Sequence, residues 1–278
     1  MPQAQTAANP VGTVERFCPL CSADNKSLPV SRYSAPDWRL KSCPQCGFVY
    51  IENAPLYDAL AADMAWEKRA AGEEQRRSRE WSSLYKLSKK SRWRLHILPR
   101  KKFAELLARH AAPGNVIDLG CGYGDTTMAG DGNFVPHGIE VSTEMCRHAD
   151  GLFRQYGGHA VHAPCLEGLK QFPDQYFTAA TLRSYLEHEL EPAAVLRETR
   201  RILKPGGVAI VKVPNYGSVN RRLRGHEWCG FRFPDHLNYF TPGTLREMGE
   251  AAGFRVTFGL TWKLPTSDNM YALMTRPE

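Results

Sequence analysis

Two hydrophobic periods divide this chain. From about residue 113 to the end, short apolar runs rich in β-branched residues alternate with stretches of helical spacing. The apolar runs are 116–119, 136–141, 160–163, 175–182 and 208–213. Their near-continuous apolar character is that of strands covered on both faces, as in a parallel sheet. Between them, residues 143–155 and 192–203 repeat every three or four positions, and Val195, Leu196 and Ile202 share one helix face. Ser142 and Thr241 stand where N-caps belong. Gly206 and Gly253 stand where helices stop. After a helix over 242–252, residues 254–262 and 270–275 read as two last strands. The pattern predicts an α/β domain over 113–278 with a mostly parallel sheet and a C-terminal antiparallel hairpin. Residues 214–242 break it. They carry neither period and are rich in Arg, aromatic and turn residues, as a functional insertion at the carboxyl edge of a sheet would be.

The first part of the chain is built differently. Residues 1–15 lack any apolar periodicity and read as a disordered tail. Residues 56–112 read as helix, ending in a helix over 103–110 and a Pro113-Gly114 stop. Between Trp66 and Lys102 cations outnumber acids by more than the net +7 of the whole chain, so the rest is close to neutral. Trp66, Trp81, Tyr85 and Trp93 are interleaved with them. Such a basic helical linker or cap could track a nucleic-acid backbone. Amphipathic helices with solvated cations are favoured, because no nucleic-acid motif accompanies them. No apolar run is long enough to span a bilayer, and no secretory h-region opens the chain.

The chain has 8 cysteines. Cys18-Pro19-Leu20-Cys21 and Cys43-Pro44-Gln45-Cys46-Gly47 are C-x-x-C knuckles, and each lets two thiolates reach one ion. Together they predict a tetrahedral S₄ zinc site in a module over 16–55. Four thiolates leave no position for a reacting water, so the zinc is read as structural. Free thiols and a metal site suit a reducing cytoplasm better than a disulfide framework. Arg39, Lys41 and Tyr33, between the knuckles, are expected on solvated surface.

The chemistry centres on Val116-Ile117-Asp118-Leu119-Gly120-Cys121-Gly122-Tyr123-Gly124-Asp125. A strand ends in an acid, and glycines at alternate positions then permit φ > 0 and close approach of a ligand. A dinucleotide fingerprint would need a third glycine at 125, where Asp125 stands. The stretch resembles motif I of the class I S-adenosylmethionine-dependent methyltransferases, and further matches follow in order. Glu140 ends the second strand. Tyr185-Leu186-Glu187-His188 resembles the family's L-E-H motif, Lys204-Pro205-Gly206-Gly207 its K-P-G-G turn, and Pro234-Asp235-His236-Leu237 its P-x-H-L segment. The Cys43–Gly47 knuckle followed by Phe48-Val49-Tyr50 resembles the zinc ribbon at the head of many bacterial methyltransferases.

The resemblance implies a Rossmann-like seven-stranded sheet. It places Asp118, Gly120, Cys121, Gly122, Glu140, Val141 and Arg183 along S-adenosylmethionine, with Glu140 accepting from both ribose hydroxyls and Val141 beside the adenine. Where the family usually has an adenine-contacting Asp, this chain has His162-Ala163-Pro164. Tyr185, His188 and His236 are the candidates beside the transferring methyl, with His236 ranked above His188 as base. The expected activity is methyl transfer to oxygen on a small molecule or glycan precursor beneath a 214–242 lid. The runner-up is an RNA methyltransferase gripping through the ribbon and the basic linker. A non-catalytic binding protein on the same fold is the third reading.

Overall fold

The computed structural model describes residues 12–56, 103–124, 133–259 and 264–278. Most of the basic segment expected over 56–112, and residues 1–11 of the tail, lie outside the described residues. The tail ends sooner than expected. Thr13–Glu15 (β1) is a strand, antiparallel to Asn53–Pro55 (β4).

The large sheet has seven strands: Gly114–Leu119 (β5), Phe134–Glu140 (β6), Ala160–His162 (β7), Phe177–Arg183 (β8), Leu203–Pro214 (β9), Arg255–Thr257 (β11) and Asn269–Thr275 (β12). Their order across the sheet is β11-β12-β9-β8-β5-β6-β7. Pairs from β9 to β7 are parallel, and β12 runs antiparallel to both β9 and β11. The expected class I topology is therefore present. β9 begins earlier than the apolar run alone suggested. It takes in Lys204–Gly207 through a register shift opposite Phe177 and Ala179, with Gly206 at φ 74°.

Alternation decides what each strand buries. Val116, Ala179, Val208 and Ile210 point to one face and pack on Phe103, Leu106 and Leu107 of the helix Phe103–His110. Ile117, Leu119, Ala180, Leu182, Ala209 and Val211 point to the other and meet Leu196, Leu245 and Met248. Each fully buried Ile or Leu contributes roughly 1.5–3 kcal/mol, so both faces are needed. The helix Thr143–Arg154 is capped as expected, with Ser142 Oγ accepting from the Met145 amide at 3.3 Å. Pro242–Ala251 begins with a reciprocal Thr241–Thr244 capping box.

The N-terminal hairpin, Leu40–Ser42 (β2) and Val49–Ile51 (β3), does not stand alone. β3 pairs antiparallel with Asn238–Tyr239 (β10), which comes from the insertion expected to lack strands. Alternation again explains the joint. Phe48 and Tyr50 enter the core of the large domain. Val49 and Ile51 face a second core of Leu40, Trp228, Leu237 and Tyr239. The insertion is thus core-forming rather than a loose cover. It also contains a helix, Val219–Arg224, capped by Ser218. The sequence concealed β10 because a two-residue strand carries no period.

Lys41 corrects its expectation. It is 2% exposed. Its Nζ donates to the carbonyls of Lys26 and Leu28 and lies 3.6 Å from Glu52. Arg39 bridges Glu15 and Glu52.

His137, on β6, is buried among His159, Phe172, Tyr176 and Phe177, and neither ring nitrogen has a hydrogen-bond partner. Burial, and secondarily His159, lowers it from 6.5 to about 4. The unfolded chain therefore binds a proton that the folded protein refuses between those values, and stability falls as pH falls through that window. The full effect is about 3 kcal/mol. Urea unfolding at pH 7 and pH 4.5 should show the wild type losing about 2 kcal/mol more than His137→Leu.

Candidate active site

The carboxyl ends of β5, β6 and β8 meet in one crevice, where ligands bind in open α/β sheets. Gly120, Gly122 and Gly124 take φ values of 69°, 56° and 85°. Two of them show why glycine is required. A Cβ on Gly120 would come within 2.7 Å of Tyr185 Cδ2. At Gly122 there is open space, and the positive φ is what calls for glycine.

The acids are oriented by backbone and hydroxyl donors. Glu140 Oε2 accepts from the Gly122 amide at 2.9 Å, and Oε1 from the Ser142 amide at 2.9 Å. Each oxygen keeps a further acceptor direction, enough for two hydroxyls. Asp118 Oδ1 accepts from Thr181 Oγ1 at 2.6 Å, a contact that links β5 to β8 and that no motif advertised. The amides of Gly120 and Cys121 both donate to the Ile139 carbonyl, which pins the turn to β6. Cys121 is buried, and burial beside Asp118 and Glu140 pushes its thiol well up, so it stays protonated. Val141 follows at the rim, and its carbonyl meets His162 Nε2 at 2.9 Å. Six of the seven expected cofactor residues thus gather at two strand ends. Arg183 is at the end of β8, paired through its backbone with Lys212, and its side chain is exposed.

Beyond β8 the chain turns sharply at Ser184, with φ 55°, into a short 3-10 turn, Leu186–His188. Tyr185 lies against Gly120 and donates to Glu189 Oε1 at 2.6 Å. The L-E-H turn and the insertion are tied by backbone: the Leu237 amide donates to the Glu187 carbonyl, and the Ile51 amide to the Leu237 carbonyl. Three side chains converge there. Ligating atoms of Glu187, His188 and His236 lie within 4.8 Å of one another. His188 Nδ1 is 2.8 Å from the Asp235 carbonyl, and His236 Nδ1 is 2.8 Å from the Gly230 carbonyl. A carbonyl only accepts, so both Nδ1 atoms carry hydrogen and both Nε2 atoms carry the lone pair. The Asp235 carboxylate sits 3.7 Å from Arg232. Burial pushes the Glu187 carboxyl up to about 8 and lowers His188 to about 4.

Residues without a sequence signal support this turn. Arg16 is buried, and its guanidinium donates to the carbonyls of Ile51, Leu237 and Leu190 and to Asn238 Oδ1. Asn238 in turn donates to the carbonyls of Leu186 and Glu189. A lone Arg two positions before Cys18 announces none of this.

The four knuckle cysteines also converge. Cys18 Sγ to Cys46 Sγ and Cys21 Sγ to Cys43 Sγ are each 3.5 Å, and all four sulfurs lie within 4.8 Å. A tetrahedral ion with metal–sulfur bonds of about 2.3 Å sets sulfurs slightly under 4 Å apart, so the cluster fits one ion.

The fold, the glycine turn and the acid at the end of β6 define a class I S-adenosylmethionine-dependent methyltransferase. The family described as a methyltransferase domain matches residues 92–257, and the chain belongs to it. The chain is 34% identical over 155 residues to a ubiquinone biosynthesis O-methyltransferase of Aeromonas salmonicida, covering 51% of this chain and 63% of that protein. It is 29% identical over 161 residues to the protein of the same name in Paraburkholderia phytofirmans, covering 52% and 66%. The chain thus spans less than two thirds of the length of these relatives. Among solved structures, a possible exported protein from Bordetella parapertussis aligns with a TM-score of 0.50 at 18% identity, over 63% of this chain and 66% of that one. That likeness concerns the fold alone.

Gly120→Ala places a methyl group against Tyr185 on a backbone that L-residues avoid. Titration calorimetry with S-adenosylmethionine should show binding weakened more than about tenfold, with the far-ultraviolet spectrum unchanged.

Proposed function

We propose that this chain transfers a methyl group from S-adenosylmethionine to an oxygen of a small molecule or glycan precursor, in a reducing cytoplasm. The observation that carries the reading is the convergence of Glu187, His188 and His236 where the turn after β8, which also carries Tyr185 against Gly120, meets the insertion. The names of the curated relatives, both O-methyltransferases, support oxygen as the acceptor atom.

On this reading Glu140 holds the ribose, Asp118 and the Gly120-Cys121-Gly122 backbone hold the methionine end, and Val141 borders the adenine. Arg183, exposed at the rim, is the remaining cofactor-side candidate. Bound S-adenosylmethionine would supply an electrophilic methyl group on a sulfonium. The leaving thioether is neutral, so the protein's task is alignment and water exclusion. His236 Nε2 takes the acceptor proton; its Nδ1–H, fixed on Gly230, holds the ring in the accepting tautomer. His188, lowered by burial, is the weaker base and orients from the other side. Tyr185 borders the methyl.

Zinc is the proposed occupant of the Cys18, Cys21, Cys43 and Cys46 cluster, in a structural role. It would hold the hairpin whose β3 strand supports β10. Cys43→Ser, or treatment with a strong chelator, should lower the melting temperature by several degrees, equivalent to a few kcal/mol. No change in melting temperature would remove the structural role.

His236→Asn should lower kcat about 100-fold or more while leaving the affinity for S-adenosylmethionine within about threefold. The acceptor class is read by methyl transfer from radiolabelled S-adenosylmethionine into fractionated extract of a strain lacking the gene. Label in ribonuclease-resistant small molecules or glycans is expected. Label in a ribonuclease-sensitive polymer would instead assign RNA as acceptor, held by the cysteine hairpin and the basic linker.

A further inference from the structure

We propose that Glu187, His188 and His236 form a second metal site, for a first-row divalent cation bound by two imidazoles and one carboxylate. It goes beyond the methyl-transfer reading and does not depend on it, because it concerns occupancy of three side chains in the free protein. The donor atoms lie within 4.8 Å of one another, so one ion reaches all three. Glu187 is 1% exposed and its Oε2 has no hydrogen-bond partner. Lys212 and Arg232 act on its charge from nearby, yet neither takes that oxygen in a hydrogen bond. Burying a carboxylate oxygen with nothing to receive it is expensive, and a cation is the partner that the adjacent donors select.

The histidines are arranged as metal ligands are. Each gives its Nδ1–H to a backbone carbonyl, Asp235 for His188 and Gly230 for His236, at 2.8 Å. That second bond fixes the ring and leaves Nε2 as the coordinating nitrogen. The two ligand sets come from opposite sides of one joint. Glu187 and His188 follow β8, His236 precedes β10, and the Leu237–Glu187 backbone bond holds them in register. Two nitrogens and one oxygen suit Co²⁺, Fe²⁺ or Mn²⁺, whereas the thiolates of the Cys₄ cluster select zinc, so the two sites sort different ions. Three protein ligands leave a coordination position open, unlike the closed cysteine site. A cation here occupies the Nε2 lone pairs, so at any one instant it excludes proton transfer to either imidazole. It would polarise an acceptor oxygen directly.

The test uses the full chain, first loaded with zinc at the four cysteines, then titrated with CoCl₂ alone. Cobalt on nitrogen and oxygen ligands gives visible d–d bands without the near-ultraviolet charge transfer of thiolate ligation, so exchange into the cysteine cluster is seen separately. One equivalent of charge-transfer-free cobalt is expected, with affinity reduced at least about tenfold in Glu187→Gln. Glu187→Gln keeps the shape and removes the carboxylate that would ligate the ion. Its melting temperature without cobalt should match or exceed that of the wild type, and should not rise with cobalt. Were Glu187→Gln not to fold, His188→Asn is read in the same way. Absence of such bands in the wild type at about 1 mM cobalt, or unchanged affinity in the variant, would overturn the site. Failure of methyl transfer in the cobalt-free, zinc-loaded chain, with the cobalt bands intact on titration, would leave this site standing and remove the proposed activity instead.

Discussion

One backbone ladder organises the molecule. The β2–β3 hairpin pairs with β10, and the ladder continues as Ile51 to Leu237 and Leu237 to Glu187. It joins the cysteine knuckles to the turn that follows β8. Backbone groups buried this deeply must be paired. Breaking any rung would strand donors and acceptors between two cores, and Arg16 and Asn238 saturate the carbonyls the ladder leaves over. The N-terminal hairpin therefore braces the turn that follows β8. It is short of apolar residues for a core of its own, and it borrows one from Trp228, Leu237 and Tyr239.

The crevice combines two styles of construction. Its cofactor side is backbone: bare glycines, paired amides and one carboxylate with spare acceptor capacity. The turn after β8 is side chain: two imidazoles with fixed tautomers and a buried acid. Tyr185 is the contact between them, lying on Gly120 and bonded to Glu189. The L-E-H turn and the motif I turn are thereby in direct contact.

What the sequence disclosed follows from period and chemistry. The strands around Ile117 and Ile210 were legible because double-sided burial demands unbroken apolar runs. Ser142 and Thr241 were legible because caps need particular side chains. Asp118, Glu140, His188 and His236 were legible through motifs. β10 was not, since two residues show no alternation. Lys41 looked like surface because a charged side chain is ordinarily solvated; carbonyls of Lys26 and Leu28 and the Glu52 carboxylate replace water around it. Arg16 and Thr181 were not legible because long-range hydrogen bonds leave no local pattern. Glu187 was visible within a motif, but its unpartnered oxygen is a property of three dimensions alone.

The central claim is that the cysteine hairpin holds the turn after β8 in place. Amide hydrogen exchange tests it most directly, comparing the zinc-loaded chain with the chain stripped of metal. Protection should fall at Ile51, at residues 237–239 and at 186–190, while β5 and β8 stay protected. Loss confined to residues 16–48, with Leu237 unchanged, would contradict the account.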